Sequence, residues 1–256
     1  MNAHTALSTP VSSRRAEGAT PSPERIYAIG DVHGRADLFA MMLRAIQRDG
    51  QSRGASATKI IILGDLIDRG PRSRDMIEMV RRFDEGTSGV VTLRGNHEEL
   101  LVRSAAGSDA AQRIWLRNGG AATLLSFGLH PDRLRGLSAP ERARRITQAV
   151  GTPNLEWIGA LPTHFISGDY FFCHAGIKPG LDLNKQRTRD LLWIRDEFLQ
   201  SEVEHGAIVV HGHAETDEPE IRHNRINIDT AAYRTGRLTA IGLEGPERWI
   251  LSVEQK

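Results

Sequence analysis

The chain has 256 residues, 39% apolar and 25% charged, which is typical of a soluble globular protein long enough for one large core. The formal net charge of +1 excludes a strongly basic or acidic surface, so composition gives no case for a nucleic-acid partner. The single cysteine excludes an internal disulfide and favours a cytoplasmic location, and no apolar run approaches the roughly 18 residues of a membrane span.

The first 24 residues are rich in Ser, Thr, Ala and Pro and show no apolar periodicity. Because such a segment buries little apolar surface, we predict a disordered tail over 1–24 and a single domain over 25–256. The tail has no apolar stretch of the kind that a secretory signal needs, and none follows the pair Arg14 and Arg15, so neither a secretory nor a twin-arginine signal is predicted.

Five apolar, strand-like runs each end in a turn that carries potential metal ligands. In chain order these ligands are Asp31 and His33, Asp65, Asn96, His174, and His213. Alternate residues of a strand point to the same side, so the first two ligands are expected to share a side. In open α/β sheets the binding and catalytic residues lie beyond the carboxyl ends of the strands. We therefore expect the five turns to meet there.

The six ligands combine carboxylate, amide and imidazole groups. They are too many for one tetrahedral zinc ion but suit two divalent ions that share a bridging carboxylate, for which we predict Asp65. A glycine precedes Asp31, Asp65 and Asn96 and lets the backbone approach a small ion closely. We expect manganese. Iron and zinc are alternatives, because the ligand set does not select one metal.

Helical patterns separate these runs. The spacing of apolar residues predicts an amphipathic helix over 36–49 that stops at Gly50, a second helix over 72–86, and a further one over 187–200. Residues 100–165 carry no ligand motif and are predicted to form a helical insertion over the site. Three short runs, 225–232, 237–243 and 248–253, predict antiparallel strands that complete a second sheet.

The motifs GDVHG, GDLIDRGP, GNHE, HAG and GH follow one another between residues 30 and 213, each after a strand-like run. Together they resemble the phosphoprotein phosphatases among the calcineurin-like metallophosphoesterases, in their small bacterial and phage form, over about residues 25–245. The resemblance implies an α/β (α+β) fold in which two mixed β-sheets pack as a sandwich flanked by helices. It also implies a dinuclear enzyme that dephosphorylates phosphoserine or phosphothreonine in proteins, with phosphotyrosine as a further candidate, by direct attack of metal-bound hydroxide.

The resemblance also implies roles for residues outside the metal shell. Asp68 is expected to pair with His97, and this pairing would raise the pKa of the imidazole and let it protonate the leaving group. Arg69 is expected to bind a phosphate oxygen, because its planar set of donors suits phosphate.

Two further assignments rest on the same resemblance. Arg195 is expected to be the second phosphate-binding arginine, and Asn96 is expected to contact substrate as well as metal. In HGH, the family pattern places the metal ligand after Gly212, so we choose His213 and keep His211 as the alternative.

The sequence is also compatible with other functions. A dinucleoside tetraphosphatase or another small-molecule phosphoesterase is the nearest alternative, although the presence of Asp68 and of GNHE favours a protein phosphatase. A phosphodiesterase would typically end in GHxH, whereas the residue two after His213 is Glu215. An inactive phosphopeptide-binding module would not need the full ligand set. A cysteine phosphatase is excluded, because its C-x5-R loop would need an arginine where Pro179 follows Cys173.

Overall fold

The computed structural model describes residues 4–10, 18–21, 24–86 and 89–255. Its strands form two mixed sheets, as predicted. The strands are β1 His4–Pro10, β2 Glu24–Ile29, β3 Ala57–Ile62, β4 Val90–Thr92, β5 His164–Ser167, β6 Tyr170–Cys173, β7 Ile208–His211, β8 Glu220–Ile221, β9 Arg225–Asn227, β10 Arg237–Glu244 and β11 Glu247–Glu254. Their order is β1-β11-β10-β2-β3-β4 in the first sheet and β5-β6-β7-β9-β8 in the second.

The sheets pack face to face and helices cover their outer faces. The helices are α1 Ala36–Arg53, α2 Ser73–Gly86, α3 Asn96–Ala105, α4 Asp109–Trp115, α5 Ala121–Ser126, α6 Ala139–Val150, α7 Thr152–Ala160, α8 Thr188–Trp193, α9 Asp196–Leu199 and α10 Ala232–Thr235. Ile61 and Ile241 of the first sheet share one buried cluster with Phe172 and Val210 of the second. This shared core confirms the predicted α/β sandwich flanked by helices.

Parallel pairing brings the functional turns together. Strands β2, β3 and β4 run parallel, and so do β6, β7 and β9. Each of these six strands therefore delivers its carboxyl end to one edge of its sheet, where the turns predicted to carry ligands begin. Among the described helices, none has the length and apolar character needed to cross a bilayer.

The chain ends differ from the sequence-based prediction. Residues 4–10, expected to be disordered, form β1, which pairs with the otherwise open edge of β11, while residues 1–3, 11–17 and 22–23 lie outside the described part of the chain. Strands β10 and β11 join the first sheet through β2, rather than the second sheet. Of the three predicted C-terminal runs only β9 lies in the second sheet, where it is parallel to β7.

Two predicted helices have different bounds. The first continues through Gly50 to Arg53 and ends at Gly54, whose φ of 88° favours glycine. The predicted helix over 187–200 is broken into α8 and α9 between Trp193 and Asp196. Arg195 occupies the break with φ −134° and ψ −109°, outside the helical region, so its side chain leaves from an irregular turn beside the site.

Candidate active site

The turns beyond the parallel strands enclose a cleft of about 100 Å³. The side chains that line it are Asp31, His33, Asp65, Arg69, Asn96, His97, Asn118, Trp193, Arg195 and His213. His174 is fully buried beside this cleft, and Asp68 is buried behind His97. The structure thus brings together every site residue predicted from the sequence.

The backbone around the cleft is strained. His33, Asp65, Asp68, Arg69 and His213 all have φ between 45° and 73°, a region that residues with a Cβ seldom adopt. Each such residue costs on the order of 1–3 kcal/mol and persists only where its surroundings hold it. This concentration of unfavourable φ values is typical of a functional site.

Left-handed backbone conformations, rather than strand alternation, set the directions of these side chains. Strand β2 ends at Ile29, before Asp31 and His33, so the predicted alternation does not apply to them. Likewise, β7 ends at His211, and His213 lies beyond it with φ 65°. His211 packs edge-on against Phe198, with 5.1 Å between ring centroids, whereas His213 lies in the cleft.

Asp65 is the common member of two groups of candidate metal ligands. His33 and His97 form one group with it, and His174 and His213 form the other. Oδ2 of Asp65 lies 3.4 Å from Nε2 of His33, 3.5 Å from that of His174 and 3.8 Å from that of His97. A carboxylate surrounded in this way can bridge two ions.

The hydrogen bonds of two histidines leave their Nε2 atoms available as ligands. Nδ1 of His33 lies 2.8 Å from the carbonyl oxygen of Ile67, and Nδ1 of His174 lies 3.0 Å from that of Leu63. We assign the proton of both rings to Nδ1, because a carbonyl oxygen can only accept. Fixing the tautomer from behind is the usual support for a metal-bound imidazole.

Several buried polar atoms lack the partner that a cation would supply. With His174 in this tautomer, its Nε2 is an acceptor only 2.8 Å from another acceptor, Oδ1 of Asn96. Oδ1 of Asp31 and Nε2 of His213 are buried without a hydrogen-bond partner. Buried polar groups are normally satisfied, so this donor set fits divalent metal ions.

The imidazoles of the site differ in the direction in which their pKa values are shifted. Burial lowers the pKa of His33 to about 3 and that of His213 to about 2, and it also lowers the pKa of His174. Burial lowers the pKa of His97 as well, but the carboxylates of Asp65 and Asp68 outweigh it and raise the value to about 9. Three rings are therefore neutral, as metal ligation requires, whereas His97 holds a proton that it can donate.

The helical insertion completes the Asp68–His97 pair. Oδ2 of Asp68 lies 2.6 Å from Nδ1 of His97. Its Oδ1 accepts hydrogen bonds from the indole N–H of Trp115 at 3.0 Å and from the hydroxyl of Thr123 at 2.6 Å. All four side chains are buried, so α4 and α5 fix the carboxylate that orients the imidazole.

Both predicted arginines line the cleft. Nη2 of Arg69 lies 3.4 Å from Nε2 of His97, and its Nη1 donates to Glu215 at 2.7 Å. Arg195 is exposed, and its Nη2 lies 3.5 Å from the carbonyl oxygen of His213. Both guanidinium groups can therefore meet an anion above the buried carboxylates.

Sequence reasoning missed two carboxylates at this edge. Glu98 is fully buried and accepts four backbone N–H groups, those of Asp65, Leu66 and Gly95 at 2.8–2.9 Å and that of Ile67 at 3.3 Å. Glu98 therefore holds the Asp65 turn against α3. Its place in the GNHE motif could have indicated that it belongs to the site.

Asp229, the second missed carboxylate, follows β9 as the ligands follow the other parallel strands. It is buried, and its own burial raises its pKa to about 6. Burial raises the pKa of Asp31 well above its usual range, and the charge of Asp229 adds to this effect. The apolar run before Asp229 could have indicated this sixth turn.

Comparison with known proteins identifies the family. The calcineurin-like phosphoesterase family model matches residues 24–240. The chain therefore belongs to the calcineurin-like phosphoesterase family and is a phosphoesterase, a hydrolase of phosphate esters. Members of this family use divalent metal ions, which the two ligand groups around Asp65 fit.

Curated relatives include enzymes with two kinds of substrate. The chain is 27% identical to a serine/threonine-protein phosphatase 1 of Salmonella typhimurium over 68% of this chain and 70% of that protein. It is 24% identical to an asymmetrical bis(5'-nucleosyl)-tetraphosphatase of Bacillus cereus over 88% of this chain and 92% of that one. The fold is similar to a protein serine/threonine phosphatase from Saccharomyces cerevisiae, with a TM-score of 0.54 and 14% identity over 92% of this chain and 81% of that chain.

A substitution at Gly212 tests the metal site without replacing any ligand residue. A Cβ at this position would overlap Oδ1 of Asp31. We expect Gly212→Ala to displace that carboxylate and weaken metal binding about 10–100-fold, the usual cost of disturbing a ligand's surroundings. The affinity is measured by calorimetric titration of metal-free protein with Mn²⁺.

Gly159→Ala is the matched control, because a Cβ there would lie 4.0 Å from Cγ1 of Val102, an ordinary van der Waals contact. It should bind Mn²⁺ as the wild type does. If Gly212→Ala retains wild-type affinity while melting normally, Asp31 is not a ligand.

Proposed function

We propose that this protein is a dinuclear metal-dependent phosphomonoesterase that dephosphorylates phosphoserine and phosphothreonine in proteins, with phosphotyrosine as a further candidate. The observation that carries the proposal is the buried Asp68–His97 pair, whose imidazole faces the cleft beside Arg69. We further propose that residues 25–256 act as one domain together with strand β1, which pairs with β11, and, because Cys173 is a buried free thiol, that the protein is cytoplasmic.

The ligands divide into two sets that share Asp65. We assign Asp31, His33 and Asp65 to one ion and Asp65, Asn96, His174 and His213 to the other. Manganese is the proposed metal, with iron or zinc as alternatives, since the nitrogen and oxygen donors accept all three. When bound, such a pair of ions supplies a nucleophile at neutral pH by lowering the pKa of water.

Phosphate binding is assigned to three side chains above the carboxylates. All three line the cleft: Arg69 and Arg195 provide positive charge, and the amide of Asn96 provides a further donor. In the transition state, charge spreads over the equatorial phosphate oxygens, so fixed donors at these positions stabilise it more than they stabilise the bound substrate.

The leaving group distinguishes the substrate classes. The alkoxide of serine or threonine departs poorly unless it is protonated, whereas a nucleotide leaves readily from a polyphosphate. Oδ2 of Asp68 lies 2.6 Å from Nδ1 of His97 and favours the protonated ring, while Nε2 of His97 faces the cleft. A buried acid kept protonated in this way supports a phosphomonoester with a poor leaving group as the substrate.

A bis(5'-nucleosyl)-tetraphosphatase is the second candidate. It is favoured by the tetraphosphatase of Bacillus cereus, which aligns with a larger share of this chain than the Salmonella phosphatase does. The half-buried indole of Trp193, at the edge of the cleft, offers a surface on which a nucleobase could stack.

A substrate comparison decides between the two candidates. We expect Mn²⁺-loaded protein to hydrolyse phosphoserine and phosphothreonine peptides with a higher kcat/KM than diadenosine tetraphosphate, and excess chelator to abolish both activities. Phosphate release and chromatographic product analysis provide the measurement. Faster hydrolysis of the dinucleotide would establish the second candidate, and full activity in metal-free protein would refute a metal-dependent enzyme altogether.

Two adjacent substitutions separate metal ligation from acid catalysis. Asn96→Ala should weaken binding of one ion, and excess Mn²⁺ should restore part of the activity. His97→Asn should leave metal content unchanged and slow hydrolysis of a phosphoserine peptide by on the order of 10²–10⁴-fold. Its defect should shrink with p-nitrophenyl phosphate, because p-nitrophenolate leaves without a proton.

The control is His130→Asn, a change at an imidazole whose side chain is 64% exposed and pairs with Asp132. It should leave both activities unaltered. His97 also lies within one of the two candidate ligand groups. Loss of a metal ion from His97→Asn would show that His97 is a ligand, and an equal defect with both substrates would show that it is not the leaving-group acid.

A further inference from the structure

Glu215 lies two residues beyond His213 and has contacts with three other side chains. Its Oε1 accepts a hydrogen bond from Nη1 of Arg69 at 2.7 Å and one from the hydroxyl of Tyr233 at 3.0 Å. Its Oε2 accepts from Nη2 of Arg234 at 3.3 Å. Glu215 thus links Arg69 of the cleft to an arginine outside it.

Arg69 is held between the catalytic groups and this carboxylate. Its guanidinium carbon lies 4.7 Å from the centroid of the Tyr233 ring, and the same ring packs edge-on against His33 at 5.4 Å. A substrate phosphate in the cleft and the carboxylate of Glu215 are both anions that seek the N–H groups of Arg69. Because Glu215 occupies Nη1, a phosphate that takes both Nη groups must compete with it for that donor, and repulsion between the two anions adds to the competition.

We propose that Glu215 is a positioning residue that holds Arg69 in the resting site. When a substrate phosphate binds Arg69, Glu215 releases this side chain and pairs with Arg234 instead. This inference rests on the proposed function only in taking a phosphate group as the occupant of the cleft. Its consequence is selectivity: an anion must outcompete a fixed carboxylate for Arg69, so weakly charged esters bind less well than phosphate dianions.

The surroundings of Glu215 suit an exchange of partners. The side chains of Arg69 and Glu215 are 24% and 29% exposed, whereas that of Arg234 is 54% exposed. A partly exposed ion pair contributes little free energy, so a phosphate can displace it. Arg234 is already within contact distance of Oε2, and Glu215 therefore keeps a cationic partner after Arg69 leaves.

Phosphate affinity tests this exchange directly. The dissociation constant of inorganic phosphate is measured by calorimetry on Mn²⁺-loaded protein. We expect Glu215→Gln to bind phosphate about two- to fivefold more tightly, the range that corresponds to losing a partly exposed ion pair. The KM for a phosphoserine peptide should fall by a similar factor, while kcat changes less.

Glu218→Gln is the matched control. It makes the same charge change three residues along the same loop, but its side chain is 75% exposed and pairs with Arg237, which does not line the cleft. It should leave phosphate binding unchanged. An equal shift in both variants would show a general charge effect, and would overturn the proposal.

A double-mutant cycle tests the role of Arg234. Arg234→Gln alone should weaken phosphate binding, because Glu215 then keeps only Arg69 as a cationic partner. In the Glu215→Gln background, the same change should have no further effect. If Arg234→Gln weakens binding equally in both backgrounds, or if Glu215→Gln binds phosphate no better than wild type, Glu215 does not compete with phosphate. Because binding is measured without turnover, these outcomes are independent of whether the wild type hydrolyses phosphoproteins.

Discussion

The carboxylate of Asp65 is the group on which the rest of the site depends. Three imidazole Nε2 atoms lie within 3.8 Å of its Oδ2, and its Oδ1 accepts the backbone N–H of His97 at 3.1 Å. Burial acts to raise the pKa of Asp65, but the positive charge of His97 opposes this effect, and the pKa is lowered overall. The group is therefore an anion inside the protein, and cations are the natural complement to it.

The turns that hold this anion are strained, and both Glu98 and the helical insertion stabilise them. Asp65 has φ 47° and adjoins Gly64, whose φ is 96°. The carboxylate of Glu98 collects four N–H groups from this turn and the next one. The insertion adds Trp115 and Thr123, which bind Asp68 farther along the same loop. Cooperation between distant segments keeps the unfavourable backbone in place, as expected for a preorganised site.

Most of this arrangement could be predicted from the sequence because it is local. Apolar runs that end in Gly and a ligand identify both the strands and the turns, and parallel pairing then gathers the turns. Features that depend on partners far away in the chain could not be predicted. Two examples are the sheet that β10 joins and the break at Arg195 in the helix expected over 187–200. Asp31 and His33 were expected to share a side because of strand alternation, whereas both lie beyond the end of β2 and His33 has a left-handed φ. Glu215 was missed because its contacts with Arg69 and Tyr233 are made across the fold, whereas Glu98 was missed although the GNHE motif contains it.

We infer that Asp65 bridges two metal ions, and anomalous X-ray scattering from crystals grown with Mn²⁺ tests this inference. We expect two anomalous peaks about 3.5–4 Å apart. Both should contact the Asp65 carboxylate, with His33 on one ion and His174 on the other. A single peak, or two peaks of which only one touches Asp65, would contradict it.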